Sequence, residues 1–386
     1  MAAAKTLFVG CMTGTSVDGL DLALIAVDDK QMMSHEASIS FDLPQRLRSD
    51  LLLLGQPESS SIDLMGQCDR ELGIFIGQSI NEFLRTNGVN AADVAAIGSH
   101  GQTIRHRPPQ DTDTPFTLQI GDANQIVEQT GIVTITDFRR RDMAASGNGA
   151  PLAPAFHEVL FRKHGDSVAI LNIGGISNVS FLGEKVIGFD TGPGNALMDC
   201  WFQHHHNDKY DSGGAWARAG LIDQELLKAM LSDPYFSVKP PKSTGREYFN
   251  LPWIQHWLAA TSSQDPSAAG YSEQFSRNVQ STLVELTAVT VARALAFTDV
   301  DLTAIAVCGG GRLNAFLMER LTHACSTFFG SSIKVARTEH WGVDGDFLEA
   351  AAFAWLAYQR LNHRTGNLPS VTGALGHRIL GAVYTP

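Results

Sequence analysis

The sequence predicts an α/β fold built as two domains, and three observations carry that prediction. The chain has 386 residues, roughly twice the length of an ordinary domain. Short apolar runs with strand character alternate with runs whose apolar residues recur near the helical period. Each half also opens the same way: an apolar strand, a turn rich in glycine and polar residues, and a second apolar strand. No longer sequence repeat accompanies that weak duplication.

Composition narrows the class. A hydrophobic fraction of 44% at this length supplies a core without disulfide staples. Forty acidic residues against 29 basic ones give a formal net charge of −11. A basic footprint for nucleic acid is absent, and an anionic membrane surface would repel the chain. The densest basic run is Arg139-Arg140-Arg141. Cys11, Cys68, Cys200, Cys308 and Cys325 are odd in number and form no CxxC pair. That pattern argues against a disulfide framework or structural zinc and fits a reducing cytoplasm. The start reads as a first strand rather than a secretory signal, and no apolar run reaches the roughly 18 residues of a membrane span.

Taken in order, Lys5–Val9 and Leu20–Val27 read as strands around the polar turn Gly10–Gly19. Residues 61–87 read as a helix, with Leu64, Cys68, Leu72, Phe75, Ile76 and Ile80 near a 3.6-residue period. Val94–Gly98 is a buried strand that ends at Ser99-His-Gly-Gln-Thr103. Phe116–Ile120 and Ile132–Thr136 flank a helix in a βαβ-like alternation. In the second half, strands are expected at Val168–Ile173, Val179–Leu182, Val186–Phe189 and Leu302–Val307. Helices are expected at 195–206, 221–232, 276–297, 314–325 and 347–361, the segment 276–297 being amphipathic.

Glycine-rich turns follow strands at Gly10–Gly19, Gly174–Asn178 and Gly309–Gly311. Backbone N–H groups approach phosphate oxygens closely only where side chains are small and φ is permissive. A single such turn is more often a tight hairpin, whereas several at strand ends point to a nucleotide. There is no Gly-Lys-Ser/Thr, so a Walker loop is excluded, and Gly192-Pro-Gly194 lacks the third glycine of a dinucleotide fingerprint. Protein-kinase signatures are missing too.

The remaining pattern resembles the actin, hexokinase and heat-shock-chaperone ATPase superfamily. The ordered segments Gly14-Thr-Ser-Val-Asp-Gly-Leu-Asp21, Ser99-His-Gly-Gln-Thr103, Asp137-Phe-Arg139 with Asp142, Gly149-Ala-Pro-Leu-Ala-Pro154, Asn172-Ile-Gly-Gly-Ile-Ser-Asn178 and Phe189-Asp-Thr-Gly-Pro-Gly-Asn195 resemble the anhydro-N-acetylmuramic acid kinases over essentially the whole chain. The resemblance implies a two-domain actin-like ATPase (sugar kinase) fold with an interdomain active-site cleft. The domains expected from it are 1–138 plus 366–386, and 139–365. It also implies ATP and Mg²⁺ as cofactors, a cytoplasmic homodimer, and a coupled reaction in peptidoglycan recycling. In that reaction water opens the 1,6-anhydro bridge of the sugar and the freed O6 takes the γ-phosphoryl group of ATP.

The resemblance assigns Gly14, Thr15, Ser16, Val17, Asp18, Gly19, Leu20 and Asp21 to the first phosphate loop. It assigns Asn172, Gly174 and Gly175 to the second, and Gly309, Gly310 and Gly311 to the adenosine turn. Asp18 and Asp21 are the Mg²⁺ candidates, since that ion takes few carboxylates beside phosphate and water; for Asp18 an Asx-turn role stays open. Asp190, at a strand end before Thr-Gly-Pro-Gly, is the candidate base for the water; capping the next helix is the alternative. Ser16, Asp18, His100, Gln102, Thr103, Asp122, Arg139 and Glu349 are the candidate sugar contacts. For Arg139 the ligand is a carboxylate or a phosphate, where its fork geometry is useful. Ordinary loop or solvated-face roles remain for His100, Gln102, Thr103 and Glu349. His204-His205-His206 reads as a polar helix end, because adjacent helical residues point apart and rarely share one ion. Another sugar kinase of the superfamily, or a nucleotide-gated sugar sensor, remains the competing function.

Overall fold

The computed structural model describes residues 5–14, 17, 19–56, 61–109, 112–162, 167–181, 187–240, 242, 244–245, 248–261, 272–297, 301–330 and 333–386. The chain divides into two compact units, Met1–Leu160 with Gly342–Pro386, and Phe161–Trp341.

In the first unit, β1 (Lys5–Thr13) and β2 (Gly19–Asp28) form an antiparallel hairpin closed at Thr13 and Leu20. Strand β3 (Met33–Asp42) adds antiparallel to β2. On the other side of β1, β4 (Val94–Ser99) runs parallel to it. Strands β5 (Gln102–Arg107) and β6 (Phe116–Ile120) make their own two-stranded sheet, and β7 (Thr134–Thr136) lies parallel to β4. The expected alternation of Phe116–Ile120, a helix and Ile132–Thr136 is present as β6, the helix Ala123–Thr130 and β7, with the two strands in different sheets. The polar segment 102–107 is itself the partner that takes β6 away.

In the second unit, β8 (Val168–Ile173), β9 (Ile176–Phe181) and β10 (Ile187–Pro193) form an antiparallel meander. Then β11 (Ala304–Cys308) pairs parallel to β8 and β12 (Lys334–Arg337) parallel to β11. Strand β13 (Ala382–Tyr384) returns to the first unit and pairs with β7. The orders β3-β2-β1-β4-β7 and β10-β9-β8-β11-β12 are the same pattern. Short turns give antiparallel neighbours, while parallel neighbours require crossovers. Long helices, Ile62–Thr86 and Glu273–Leu295, lie in the corresponding crossovers. The duplication faint in the sequence is thus a shared topology, with two similar domains each opening on a β-hairpin.

The crossover helices form for local reasons. Ser61 caps the first by accepting from Leu64 N–H at 3.1 Å, and Cys68, Leu72, Ile76, Ile80 and Phe83 bury one face against Val9, Leu22 and Ile97. Ser272 caps the second by accepting from Phe275 N–H at 3.2 Å. That helix is buried nearly all round from Val279 to Leu295, including Gln280, Ser281 and Thr282. Its expected amphipathic character gives way to a core position.

The unit boundaries fall at 160/161 and 341/342 rather than at 138/139 and 365/366. The helix Leu348–Leu361 explains the C-terminal shift. It lies directly on the backbone of β1 and β4, so a Cβ on Gly10 would sit 1.9 Å from Ala350 O and one on Gly98 2.0 Å from Phe353 O. Among the described residues no helix is long and apolar enough to cross a membrane.

Candidate active site

The first unit gathers polar groups at the end of its parallel strands. Thr13 Oγ1 donates to Gly101 O at 2.9 Å, and His100 N–H donates to Cys11 O at 3.0 Å, locking the end of β1 to the turn after β4. His100 is buried. Its Nδ1 faces Gly101 O at 2.8 Å, while Arg139 Nε donates to its Nε2 at 2.9 Å. A carbonyl only accepts, so Nδ1 carries the proton and Nε2 is left to accept from the guanidinium. Burial, then the Arg139 charge, push the imidazole down to about 3, so it is neutral. Arg139 also donates to Gly149 O at 3.1 Å. It rides on a short helix, Phe138–Met143, entered through the left-handed Asp137 (φ 58°).

Glu349 stands in the first turn of Leu348–Leu361. Dehydration raises its carboxyl, Arg139 opposes this, and Asp21 adds to it. Asp21, on β2, is raised chiefly by burial and further by Asp346, with a hydrogen bond to Ser40 opposing. His100, Arg139, Glu349 and Asp21 are therefore electrostatic neighbours, although they come from four separate elements.

The other expected sugar contacts are more local. Gln102 is buried, donates weakly to Thr103 O at 3.4 Å, and has a buried Oε1 with no protein donor among the described residues. Thr103 Oγ1 accepts from Gln119 at 3.1 Å. Asp122 caps the helix Ala123–Thr130, accepting from Asn124 N–H at 2.9 Å.

In the expected first phosphate loop, Thr15, Ser16 and Asp18 lie outside the described residues. Gly14 O accepts from Val17 N–H at 3.0 Å. Val17 is buried at φ 54°, an outlier for a β-branched residue, and its carbonyl accepts from Arg48 Nε at 2.9 Å. Gly19 and Leu20 begin β2.

In the second unit, Asp190 lies within β10 rather than after it, where the ladder with β9 shifts register between Asp190 and Gly192. Such a bulge re-aims a side chain. Thr244 N–H donates to Asp190 Oδ2 at 3.0 Å. Tyr235 OH donates to the Asp190 carbonyl at 2.9 Å, and the Asp190 N–H donates to Lys242 O at 3.1 Å. The following helix, Ala196–His205, is not capped by Asp190; its first N–H groups, on Asn195 and Ala196, donate to Gly174 O and Gly175 O at 2.8 and 3.0 Å.

Those carbonyls belong to the β8–β9 turn. The N–H groups of Gly174 and Gly175 have no acceptor among the described residues. Asn172 pairs in register with Cys308 of β11, so this turn adjoins Gly309–Gly311. A Cβ on Gly309, at φ 75°, would lie 2.3 Å from Asn172 Oδ1, and one on Gly311 2.3 Å from Ile173 Cγ2. Gly310 has nothing closer than 3.9 Å and Gly174 nothing closer than 3.5 Å.

A profile of the anhydro-N-acetylmuramic acid kinases matches residues 6–386. The chain belongs to the anhydro-N-acetylmuramic acid kinase family. It is therefore a kinase, a phosphotransferase. An anhydro-N-acetylmuramic acid kinase of Pasteurella multocida is 43% identical over 100% of this chain and 98% of its own. One of Xanthomonas oryzae pv. oryzae is 46% identical over 98% of this chain and 97% of its own. Among solved structures, a Schistosoma mansoni hexokinase complexed with glucose aligns over 91% of this chain and 87% of that one, at 10% identity and a TM-score of 0.40.

Sequence reasoning missed Tyr235, Lys242 and Thr244, which surround Asp190. Lys242 is buried, with Nζ 4.5 Å from the Tyr235 ring centroid and donating to Tyr235 O at 3.3 Å. Burial lowers its pKa while Asp190 opposes that. The one sequence signal near it is a polar run with paired prolines, Lys239-Pro-Pro-Lys-Ser-Thr-Gly245, which reads equally as a surface loop. The histidines 204–206 pack on aromatics instead of converging: the His206 ring stacks on Phe202 at 4.5 Å and the His205 ring meets Trp201 at 4.5 Å. Trp341 and Trp355 are core residues.

Proposed function

We propose that the chain opens 1,6-anhydro-N-acetylmuramic acid hydrolytically and phosphorylates O6 with ATP, giving N-acetylmuramic acid 6-phosphate in cell-wall recycling. The observation that carries this reading is the setting of Asp190. Its carboxylate is aimed by a strand bulge, steadied by the Thr244 N–H, and stands beside a buried lysine. Asp190 takes the proton of a water whose oxygen bonds to the anomeric carbon. The bond from that carbon to O6 breaks, O6 bonds to the γ-phosphorus, and ADP leaves with its bridging oxygen. Each bond made is matched by one broken, and no oxidant or reductant is required.

The roles of the remaining groups follow the same reading. His100, Gln102, Thr103, Asp122, Arg139 and Glu349 bind the sugar together with Ser16 and Asp18, the Arg139 fork suiting the lactyl carboxylate. The Gly14–Asp21 hairpin and Asn172–Gly175 cradle the phosphates, and Gly309–Gly311 meet the adenosine. The ligand-free N–H groups of Gly174 and Gly175 fit an anion. Asp21, with Asp18, suits Mg²⁺, which needs only one or two carboxylates when phosphates complete its shell. When bound, that ion supplies positive charge to the phosphates. The family resemblance supports a cytoplasmic homodimer.

The test offers the purified protein ATP with the anhydro sugar or with open-ring N-acetylmuramic acid, and follows ADP and phosphosugar by phosphorus NMR. Turnover with the anhydro sugar is expected. Turnover with the open ring alone identifies another sugar kinase, and binding of both ligands without ADP identifies a sensor.

A further inference from the structure

The run Arg139-Arg140-Arg141 is unusual in a chain of net charge −11, and the candidate active site uses only its first member. Arg140 and Arg141 line a cavity of about 610 Å³ in the first unit, with Asp137, Arg360, Ile379 and Gly381 among its other walls. Arg140 is already neutralised: its Nε and Nη2 each lie 2.7 Å from the Asp137 carboxylate oxygens in a fork. Arg360 spends its Nε on Gly381 O at 2.9 Å, and its terminal nitrogens have no partner among the described residues. Arg141 is exposed and has neither ion pair nor hydrogen bond among the described residues. Three guanidinium groups thus meet one carboxylate in the lining, leaving two positive charges uncompensated.

We propose that this cavity is a second anion site, distinct from the phosphate-binding turns, and that it takes the phosphate group of a small phosphorylated metabolite. The charge selects a dianion, and a phosphomonoester near neutral pH is one. Guanidinium forks match its oxygens in geometry as well as charge. The volume lies in the range of small-molecule pockets, roughly 300–1,000 Å³, and exceeds what a bare phosphate fills. Ile379 and Ala382 offer apolar wall to the rest of such a ligand. The helix Phe138–Met143 carries Arg139 as well as the two cavity arginines. Leu348–Leu361 carries Glu349 in its first turn and Arg360 in its last, about 16 Å apart along the axis. An anion held here is therefore fixed to the same frame as the groups assigned to the sugar.

The test is calorimetric titration of the full chain with glucose 6-phosphate and with inorganic phosphate at constant ionic strength. It compares wild type with Arg141→Ala and Arg360→Gln. Among the described residues Arg141 makes no ion pair or hydrogen bond for the substitution to break, and thermal melts of both ligand-free variants check that they fold. Both variants are expected to weaken glucose 6-phosphate binding about tenfold or more. A parallel loss for inorganic phosphate means that the phosphate group alone is recognised. A loss confined to glucose 6-phosphate means that the body of the ligand contributes. Equal affinity in wild type and both variants, or no binding by wild type at millimolar ligand, overturns the proposal.

Discussion

The two units share one strand order and prepare their candidate sites by opposite means. In the first unit the working material is side chains. Arg139 acts on His100 and on Glu349, Asp21 acts on Glu349, and the imidazole is kept neutral chiefly by burial, with the arginine adding to it. In the second the working material is backbone. The Gly174–Gly175 turn offers N–H groups, Gly309 admits no side chain, and Asp190 is aimed by a bulge and a peptide N–H. The contrast runs parallel to the proposed ligands in part: the proposed sugar contacts lie in the first unit, while phosphate is shared between the Gly14–Asp21 hairpin of the first unit and the Gly174–Gly175 turn of the second. A sugar is distinguished by donors and acceptors at particular positions, whereas a phosphate chain is held by any close array of N–H groups.

The largest expected effect breaks the backbone half. Gly309→Val places a Cβ 2.3 Å from Asn172 Oδ1 at φ 75°, a clash added to an unfavourable conformation. It is expected to cost about 3 kcal/mol or more in chemical denaturation. Stability equal to wild type would mean that the turn relaxes freely and that glycine is not structurally required there.

Next in size, Asp190→Asn is expected to lower turnover by about 10²-fold or more while the melting temperature stays near wild type. Asparagine still offers an oxygen to the Thr244 N–H, so the side chain stays in place and only the proton acceptor is lost. Near-wild-type product formation by this variant would remove Asp190 from the base role.

The side-chain half is tested by acid. His100 and His157 are both buried in the first unit and pushed down to about 3, in each case chiefly by burial. An unfolded histidine takes up its proton near pH 6.5, while these stay neutral until about pH 3. Between those limits the unfolded state binds more protons, so stability falls as pH falls, by about 1.4 kcal/mol per pH unit for each histidine. Above about pH 6.5 the effect is absent. His157→Phe should remove one histidine's share of the slope, read from denaturation midpoints at pH 7 and 5.5. An unchanged slope would place the acid sensitivity elsewhere.

The smallest effect on stability sharpens the comparison. Gly174→Ala meets nothing closer than 3.5 Å and should alter stability by no more than about 0.5 kcal/mol. Titration with an ATP analogue should nevertheless show weaker binding, because the new methyl intrudes where the phosphates approach. Unchanged affinity would separate this turn from the nucleotide.

Much of the plan was legible in residues whose local signals agree with the fold. The hairpin of β1 and β2, the helix Ile62–Thr86, and the strand–turn–strand at Val168–Phe181 all stand close to where pattern and punctuation put them. Strand β3 was not legible, because Met33–Asp42 lies at a sheet edge with half-buried polar residues and no clean alternation. Strands β5 and β12 were hidden by basic and polar residues. The spatial neighbourhood of His100, Arg139, Glu349 and Asp21 depends on the packing of distant segments, which no local pattern encodes. Lys242 and Thr244 were missed because their importance comes from touching Asp190 across more than fifty residues of chain.

The central claim is that water attacks the anomeric carbon while O6 stays on carbon 6 and takes the phosphoryl group, and an oxygen label tests it most directly. The reaction is run with ATP and 1,6-anhydro-N-acetylmuramic acid in ¹⁸O-water, quenched early, and the product fragmented by mass spectrometry. Authentic product incubated in the same water corrects for exchange. The account predicts one ¹⁸O at the anomeric hydroxyl and none at O6 or in the phosphoryl group. Label at O6 would mean that the bond to carbon 6 breaks instead, and label in a phosphoryl group would mean that the water attacks ATP. Either result contradicts the role given to Asp190.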